Sequence, residues 1–352
     1  MANIHDVAKR AAVSISTVSL VINGSPLVKE ETREHVQRVI EEMGYVPNND
    51  ARSLRQGRTN NLGVIYMSEN ENDMFYSGYN DDHAAGLSSM SIVDGIMQYI
   101  MGTRYGVVSE HFCAKYSSGG DLPQIIKSKR VDGVFIVASP YAQDLIHSVQ
   151  EIGLPLVTVG VDCAVPGVDS FCAESGEGVA MSLRHLAKMG HKRVCLINCS
   201  DVYQSAHTKR TAFLETAESL GMERMGEWEI ICKTNCGKSS YAAFREYWER
   251  GNRPDGIIAG NGYMALGAMR YLYEQHVRIP DDVSIIVYED TVLSGYAVPR
   301  LTSVNIGKEE LGRRAAKALI ARIQRPDGEP VNYVQQPYLV FRESVCDRRS
   351  AK

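Results

Sequence analysis

A chain of 352 residues, 44% apolar and 23% charged, is long enough to bury two or three separate cores. Its formal charge of −4 argues against indiscriminate adhesion to nucleic acid. Neither a basic-then-apolar leader nor an apolar run of membrane-spanning length occurs, so a cytoplasmic protein with no membrane partner is expected, its eight cysteines held as thiols.

From the amino terminus, Ile4, Val7, Ala8 and Ala11 recur at helical spacing behind Asn3, a good cap. Ala12-Val13-Ser14 breaks the period, and Ser14 can cap a second helix whose Val18, Val21 and Ile22 face inward. Ile15, Ser16, Ser19 and Leu20 then point outward, with Thr17 beside them. An exposed N-terminal helical face of this kind can enter a DNA major groove, its hydroxyls bonding phosphates or base edges and its aliphatics touching thymine methyls. Periodicity alone fits an ordinary helical hairpin equally well. A third helix is expected over Glu30 to Met43, with Val36, Val39, Ile40 and Met43 on one stripe and Gly44 ending it. Pro47 breaks the chain, and Asn48 to Gly57 is polar apart from Ala51 and Leu54, too short to be a stable helix alone. Lys9, Arg10, Arg52, Arg55 and Arg58 are available to phosphates.

The run DVAKRAAVSISTVSLVIN, followed by VKEETREHVQRVIEEMGYVPNNDARSLRQGRTNNLGVI, resembles the headpiece and hinge of the lactose-repressor/galactose-repressor (LacI/GalR) family of bacterial transcription regulators. The resemblance implies double-stranded operator DNA as a partner, contacted from the head by Ile4, Ser14, Ile15, Ser16, Thr17, Ser19, Leu20 and Asn23. It implies further contacts from Ala51, Arg52, Leu54 and Arg55 of a hinge that folds only on DNA, Leu54 wedging into the minor groove. Two departures stand out. The family usually carries Gly at the position of Ala12 and often Arg or another polar residue at that of Leu20, and an aliphatic side chain cannot bond guanine bidentately.

Beyond Thr59, short apolar runs alternate with helical patterns. Strands are expected at 62–66, 106–108, 133–137 and 155–159, separated by helices near 90–103, 121–129 and 141–152. A second series follows at 193–197, 229–231, 256–259 and 283–288, with helices near 177–189, 207–220, 239–250 and 263–275. RVDGVFIV at 130–137 and RPDGIIAG at 253–260 look like equivalent strand openings in two halves. The expected fold is an all-α helix-turn-helix headpiece with a hinge helix, followed by a two-lobed α/β core of parallel sheets flanked by helices, like a periplasmic binding protein. The corresponding boundaries are 1–46 for the head, 47–59 for the hinge, 60–162 plus 293–325 for the first lobe, and 163–292 plus 326–346 for the second, with a tail at 347–352. By resemblance, the chain crosses between lobes near 161–164, 290–293 and 323–327.

The cleft positions depart from the family pattern. An Asp-Asn pair becomes Glu174-Ser175, a commonly effector-gripping Arg becomes Lys209 with Arg210 adjacent, an Asn-Asp becomes Asn261-Gly262, and a Gly-Tyr/Phe-Asp-Asp turn becomes Val287-Tyr288-Glu289-Asp290. Lys offers a point charge where Arg offers a planar fork, so a particular hexose or purine cannot be carried over. For Glu174, Lys209 and Glu289, solvated rim charges are the competing reading. A long loop before Met90 adds Phe75 and Tyr76, with Tyr79 and His83, as aromatic candidates for stacking on a sugar, or else forms a surface insertion.

Other chemistries fare less well. Cys195-x3-Cys199 and Cys232-x3-Cys236 echo metal-ligand spacing, but Cys195 sits inside an apolar strand, so no metal is expected. Gly176-Glu-Gly178 opens a helix as a dinucleotide site would, yet Met181 stands where a third glycine is needed. A dinucleotide-dependent enzyme, or a ligand-binding protein with a vestigial head, is therefore the alternative, and no catalytic residue or cofactor is assigned. A strand over 301–304, a helix over 307–324 and a strand over 338–341 close the chain without a leucine heptad, so a homodimer is expected. The reading as a whole is a non-enzymatic repressor controlled by a sugar-like effector.

Overall fold

The computed structural model describes residues 3–22, 24–45, 58–68, 85–113, 116, 120–137, 142–161, 164–200, 204–223 and 228–349. The chain divides into two compact units, Met1–Thr59 and Asn60–Lys352.

In the first unit, α1 (Ile4–Arg10), α2 (Ile15–Ile22) and α3 (Glu30–Glu42) bury one apolar stripe each. Asn3 closes a capping box on α1: its Oδ1 accepts from the amides of His5 and Asp6 at 2.9 and 3.0 Å, while Asp6 accepts from the Asn3 amide at 3.0 Å. Ala12 makes the turn into α2 at φ 53°, a left-handed conformation that L side chains resist. Ser14 caps α2 by accepting from the Thr17 amide at 3.0 Å. Val7, Ala8, Ala11, Val18, Val21, Val36 and Val39 form the core. Helical spacing selects these positions together with Ile4, Ile22, Ile40 and Met43, which pack half-buried against the core.

In the second unit, two sheets are built from six strands each among the described residues. The first runs β11 (Asn332–Gln335), β5 (Asp169–Ala173), β4 (Leu156–Val161), β3 (Gly133–Val137), β1 (Asn61–Ser68), β2 (Gly106–Cys113). The second runs β12 (Tyr338–Val340), β10 (Thr302–Asn305), β9 (Ser284–Tyr288), β8 (Gly256–Ala259), β6 (Val194–Cys199), β7 (Glu229–Cys232). All these pairings are parallel except β10 with β12. Both faces are covered, and side-chain alternation divides each strand between two cores. In β6, for example, Val194 and Leu196 join the cluster that runs through both lobes, whereas Cys195, Ile197 and Cys199 join one confined to the second lobe.

The flanking helices are α4 (Ala85–Ile100), the single turn α5 (Gln124–Lys127) and α6 (Gln143–Glu151), then α7 (Ser175–Lys188), α8 (Gln204–Ser219), α9 (Gly237–Glu249), α10 (Gly262–Glu274), the short α11 (Val292–Tyr296) and α12 (Lys308–Gln324). Helix α12 packs on α4 through glycine: a Cβ on Gly95 would lie 1.9 Å from the Glu309 carbonyl oxygen, and one on Gly312 1.9 Å from that of Ile92.

The lobe boundaries differ from the expectation. After β4 the chain returns to the first sheet as β5, pairing Val157 with Asp169 through Val161 with Ala173, and crosses only between Ala173 and Ser175. The other crossings lie between β10 and α12 and between β11 and β12, not near 290–293 and 323–327. The physical reason is that β5 and β11 are short and partly polar. The carboxylate opening β5 is neutralised from α12, where Arg322 donates to both Asp169 oxygens at 2.9 Å.

Candidate nucleic-acid face and effector cleft

On α2, Val18 and Val21 are buried while Ile15, Ser16 and Leu20 are exposed and Ser19 is half-buried. Ser14 and Thr17 are engaged with each other through their hydroxyls at 2.9 Å. Ile4 is half-buried and packs on the head's core. Lys9 and Arg10 are exposed on α1, Arg10 lying 3.4 Å from Glu42. The result is a solvent-facing surface of hydroxyls and aliphatics on α2. Asn23, Ala51, Arg52, Leu54 and Arg55 lie outside the described residues.

In the core, the C-terminal strand ends of the second sheet converge on Tyr288, whose ring is fully buried at the end of β9. Gly178 makes room for it, since a Cβ there would lie 2.7 Å from the ring. The Tyr288 hydroxyl donates to the Glu174 carbonyl at 3.4 Å, across the point where the chain enters the second lobe. Lys209, buried on α8, places its Nζ 3.9 Å from the centre of the Tyr288 ring and donates to the Gly260 carbonyl at 3.2 Å. Burial pushes the nearby Cys199 thiol up, and the Lys209 charge offsets part of that. Asn261, next in the chain after Gly260, caps α10: Oδ1 accepts from the Met264 amide at 2.8 Å and Nδ2 donates to the Asn235 carbonyl at 3.3 Å. Glu289 adopts φ 81° and reaches Lys308 Nζ, 2.9 Å away, both side chains largely buried. Because Lys308 begins α12 on the first lobe, this ion pair spans the crossing between sheets.

Residues 3–48 match the family described as bacterial regulatory proteins, lacI family, and residues 183–345 match the periplasmic binding protein-like domain. Over 341 residues, 96% of both chains, the sequence is 31% identical to the HTH-type transcriptional regulator CelR of Thermobifida fusca. The chain belongs to the lacI family. This lacI-family protein is also 29% identical to the HTH-type transcriptional repressor PurR of Vibrio atlanticus (strain LGP32), over 98% of this chain and 99% of that one. Among solved structures it resembles a CelR–cellobiose complex with a TM-score of 0.69 at 29% identity, covering 98% of this chain and 100% of that one. A Lac repressor dimer bound to operator and an anti-inducer superposes with a TM-score of 0.81 at 23% identity, over 98% of this chain and 99% of that one, which establishes the shared fold. The protein is thus a DNA-binding transcription regulator with a helix-turn-helix head and a periplasmic-binding-protein-like core.

Of the expected effector residues, Lys209 lies against the Tyr288 ring and Glu174 meets the Tyr288 hydroxyl through its backbone carbonyl, its side chain being exposed, whereas Asn261 caps α10 and Glu289, next in the chain after Tyr288, pairs with Lys308. Arg210 does not face them: its guanidinium is ion-paired with Glu229 on β7, which also accepts from Asn198 at 3.0 Å. Phe75 and Tyr76 lie outside the described residues. The sequence alone did not single out Lys308, or Arg342, which pairs with Asp290 at 2.8 Å while Ser303 donates to Asp290 at 2.7 Å. The one signal for Lys308 was a lysine directly after a helix-opening glycine. Gly176 and Gly178, the dinucleotide-like pair, serve helix packing instead, against Ala212 and Tyr288. Among the described residues no three His, Cys, Asp or Glu side chains form a metal-sized group. Cys195 is fully buried with its thiol pushed up by desolvation, and Cys232 is pushed up to about 12 for the same reason. Cys236 caps α9 by accepting from the Ser239 amide.

Proposed function

We propose that this regulator represses transcription by binding a palindromic operator as an isologous homodimer, and that a sugar or sugar derivative held between the lobes controls the grip. The observation carrying the effector assignment is the buried Lys209 ammonium set against the Tyr288 ring and the Gly260 carbonyl at the C-terminal strand ends, where open parallel sheets take ligands; Glu174, Asn261 and Glu289 join Lys209 as the proposed effector contacts. The cellobiose held by CelR supports a saccharide. In this reading Phe75 and Tyr76 stack on the sugar from the loop before α4, and Arg210 braces the helix that carries Lys209.

On DNA, Ile4, Ser14, Ile15, Ser16, Thr17, Ser19, Leu20 and Asn23 contact the major groove and its phosphates. The 47–59 hinge pairs with its copy and folds, with Ala51, Arg52 and Arg55 at the backbone and Leu54 as the wedge. The effector acts only through its different affinity for the DNA-competent and incompetent lobe arrangements. Neither cofactor nor catalysis is required, and the protein works in the cytoplasm.

A thermal-shift screen of cellobiose, other disaccharides and monosaccharides tests the cleft. One saccharide class raises the melting temperature of the full-length protein, and Lys209→Ala, folded by circular dichroism, loses that shift. If no saccharide moves the wild-type melt, the effector class is wrong. In the hinge, Leu54→Ala weakens operator binding at least tenfold while saccharide affinity stays the same; unchanged operator affinity removes the wedge from the account.

A further inference from the structure

The α2 sequence ISTVSLVI contains no charged, amide or aromatic side chain. That composition removes the usual bidentate base readers, because guanine needs Arg or Lys, adenine needs Asn or Gln, and cytosine's amino group needs a carboxylate. What the helix does present is aliphatic. Ile15 and Leu20 are 36% and 37% exposed, whereas Val18 and Val21 are 0% and 5% exposed in the core of the head. The helix therefore sorts its branched residues into an inward set that holds the fold and an outward pair that the fold does not use. Five residues apart, the two outward side chains are separated by about 7.5 Å along the axis, close to two base-pair steps, so they meet different base pairs. They flank Ser16 and Ser19 on that face. A hydroxyl can bond donors or acceptors and discriminates weakly, and the Ser14 and Thr17 hydroxyls are bonded to each other.

In the major groove, the apolar group that distinguishes one base pair from another is the thymine C5 methyl. We infer that this head reads its operator chiefly through thymine methyls, one against Ile15 and one against Leu20, with phosphate contacts supplying register. The inference rests on the proposed operator-binding reading and adds the chemistry of the bases it selects.

The test begins with selection of duplexes from a random pool by the full-length protein. Selected half-sites are expected to hold at least two fixed T·A pairs. Each of these thymines is then replaced by uracil, which removes only the methyl group. At the two contacted positions, binding weakens about fourfold per methyl, the weight of one buried methylene. Leu20→Ala, an exposed substitution checked for folding by circular dichroism, weakens binding to the thymine duplex but not to the uracil duplex at its own position. Leu20→Arg moves the selected base there toward guanine. If a fixed site is selected and its uracil duplexes bind as tightly as the thymine ones, methyl reading is overturned while operator binding stands. If no site is selected, operator binding fails, and the methyl reading fails with it.

Discussion

Ala12 turns between α1 and α2 at φ 53°, where the family resemblance implies glycine. A side chain in that region costs about 1–2 kcal/mol, and glycine gives part of this back through its freer unfolded chain, so Ala12→Gly should stabilise the head by roughly 0.5–1 kcal/mol. Slower amide exchange across α1 and α2 in the full-length protein would register the gain; faster exchange would contradict it. His191 makes a second case. Its buried ring sits between the Leu186 carbonyl, 3.0 Å from Nδ1, and Ser284 Oγ, 2.8 Å from Nε2. A carbonyl can only accept, so Nδ1 carries the proton and Nε2 accepts from the serine hydroxyl. Burial lowers the ring's pKa. Below the unfolded value of about 6.5 the unfolded chain takes a proton that the folded ring refuses, so stability is complete above that pH and falls as the pH drops toward the folded value. Urea unfolding at pH 7.5, 6.5 and 5.5 should show this loss, and His191→Gln should reduce it, leaving the part that the half-buried His111 and His185 contribute with the same sign. At this scale the sequence was most informative where periodicity applied: the core positions it named in the head are either buried or, like Ile4, Ile22, Ile40 and Met43, packed half-buried against that core. It was least informative for Lys308, because a lysine is expected at the surface and its partner lies on the other lobe.

Among the elements, β5 and β11 were the illegible ones. Asp and Ser are poor strand formers, so nothing local marks Asp169 and Ser170 as a strand start; the guanidinium of Arg322 and the Val331 amide, which donates to Asp169 at 2.7 Å, make the buried carboxylate tolerable there. No local pattern reveals a partner 153 residues away. The early strands of both lobes were legible because a parallel strand covered on both faces is a continuous apolar run. The Glu289–Lys308 pair belongs here too, since it joins the end of β9 to the start of α12. Glu289 holds a left-handed backbone, a strain that persists where surrounding contacts fix it. Lys308→Met removes the ammonium 2.9 Å from a largely buried carboxylate and should cost about 3 kcal/mol, while adding Glu289→Gln should recover much of it. Chemical denaturation of the four proteins of that cycle measures the coupling; additive losses would show that the pair does not act as a unit.

For the whole molecule, a head that reads DNA and a core built like a solute-binding protein are useful together only if occupancy of the cleft changes the grip on the operator. Both parts were legible in the sequence through different signals, the head from a run of matching residues and the core from alternation of strand and helix. The effector's identity was not, because the cleft is assembled from the ends of strands and helices far apart in the chain, and four of its positions depart from the family pattern. The measurement that bears most directly on this account is operator affinity of the full-length protein, at fixed salt, with and without the saccharide that shifts its melt. A change of tenfold or more, a coupling of about 1.4 kcal/mol, is the predicted result. A saccharide that binds the cleft tightly and leaves operator affinity unmoved would contradict it.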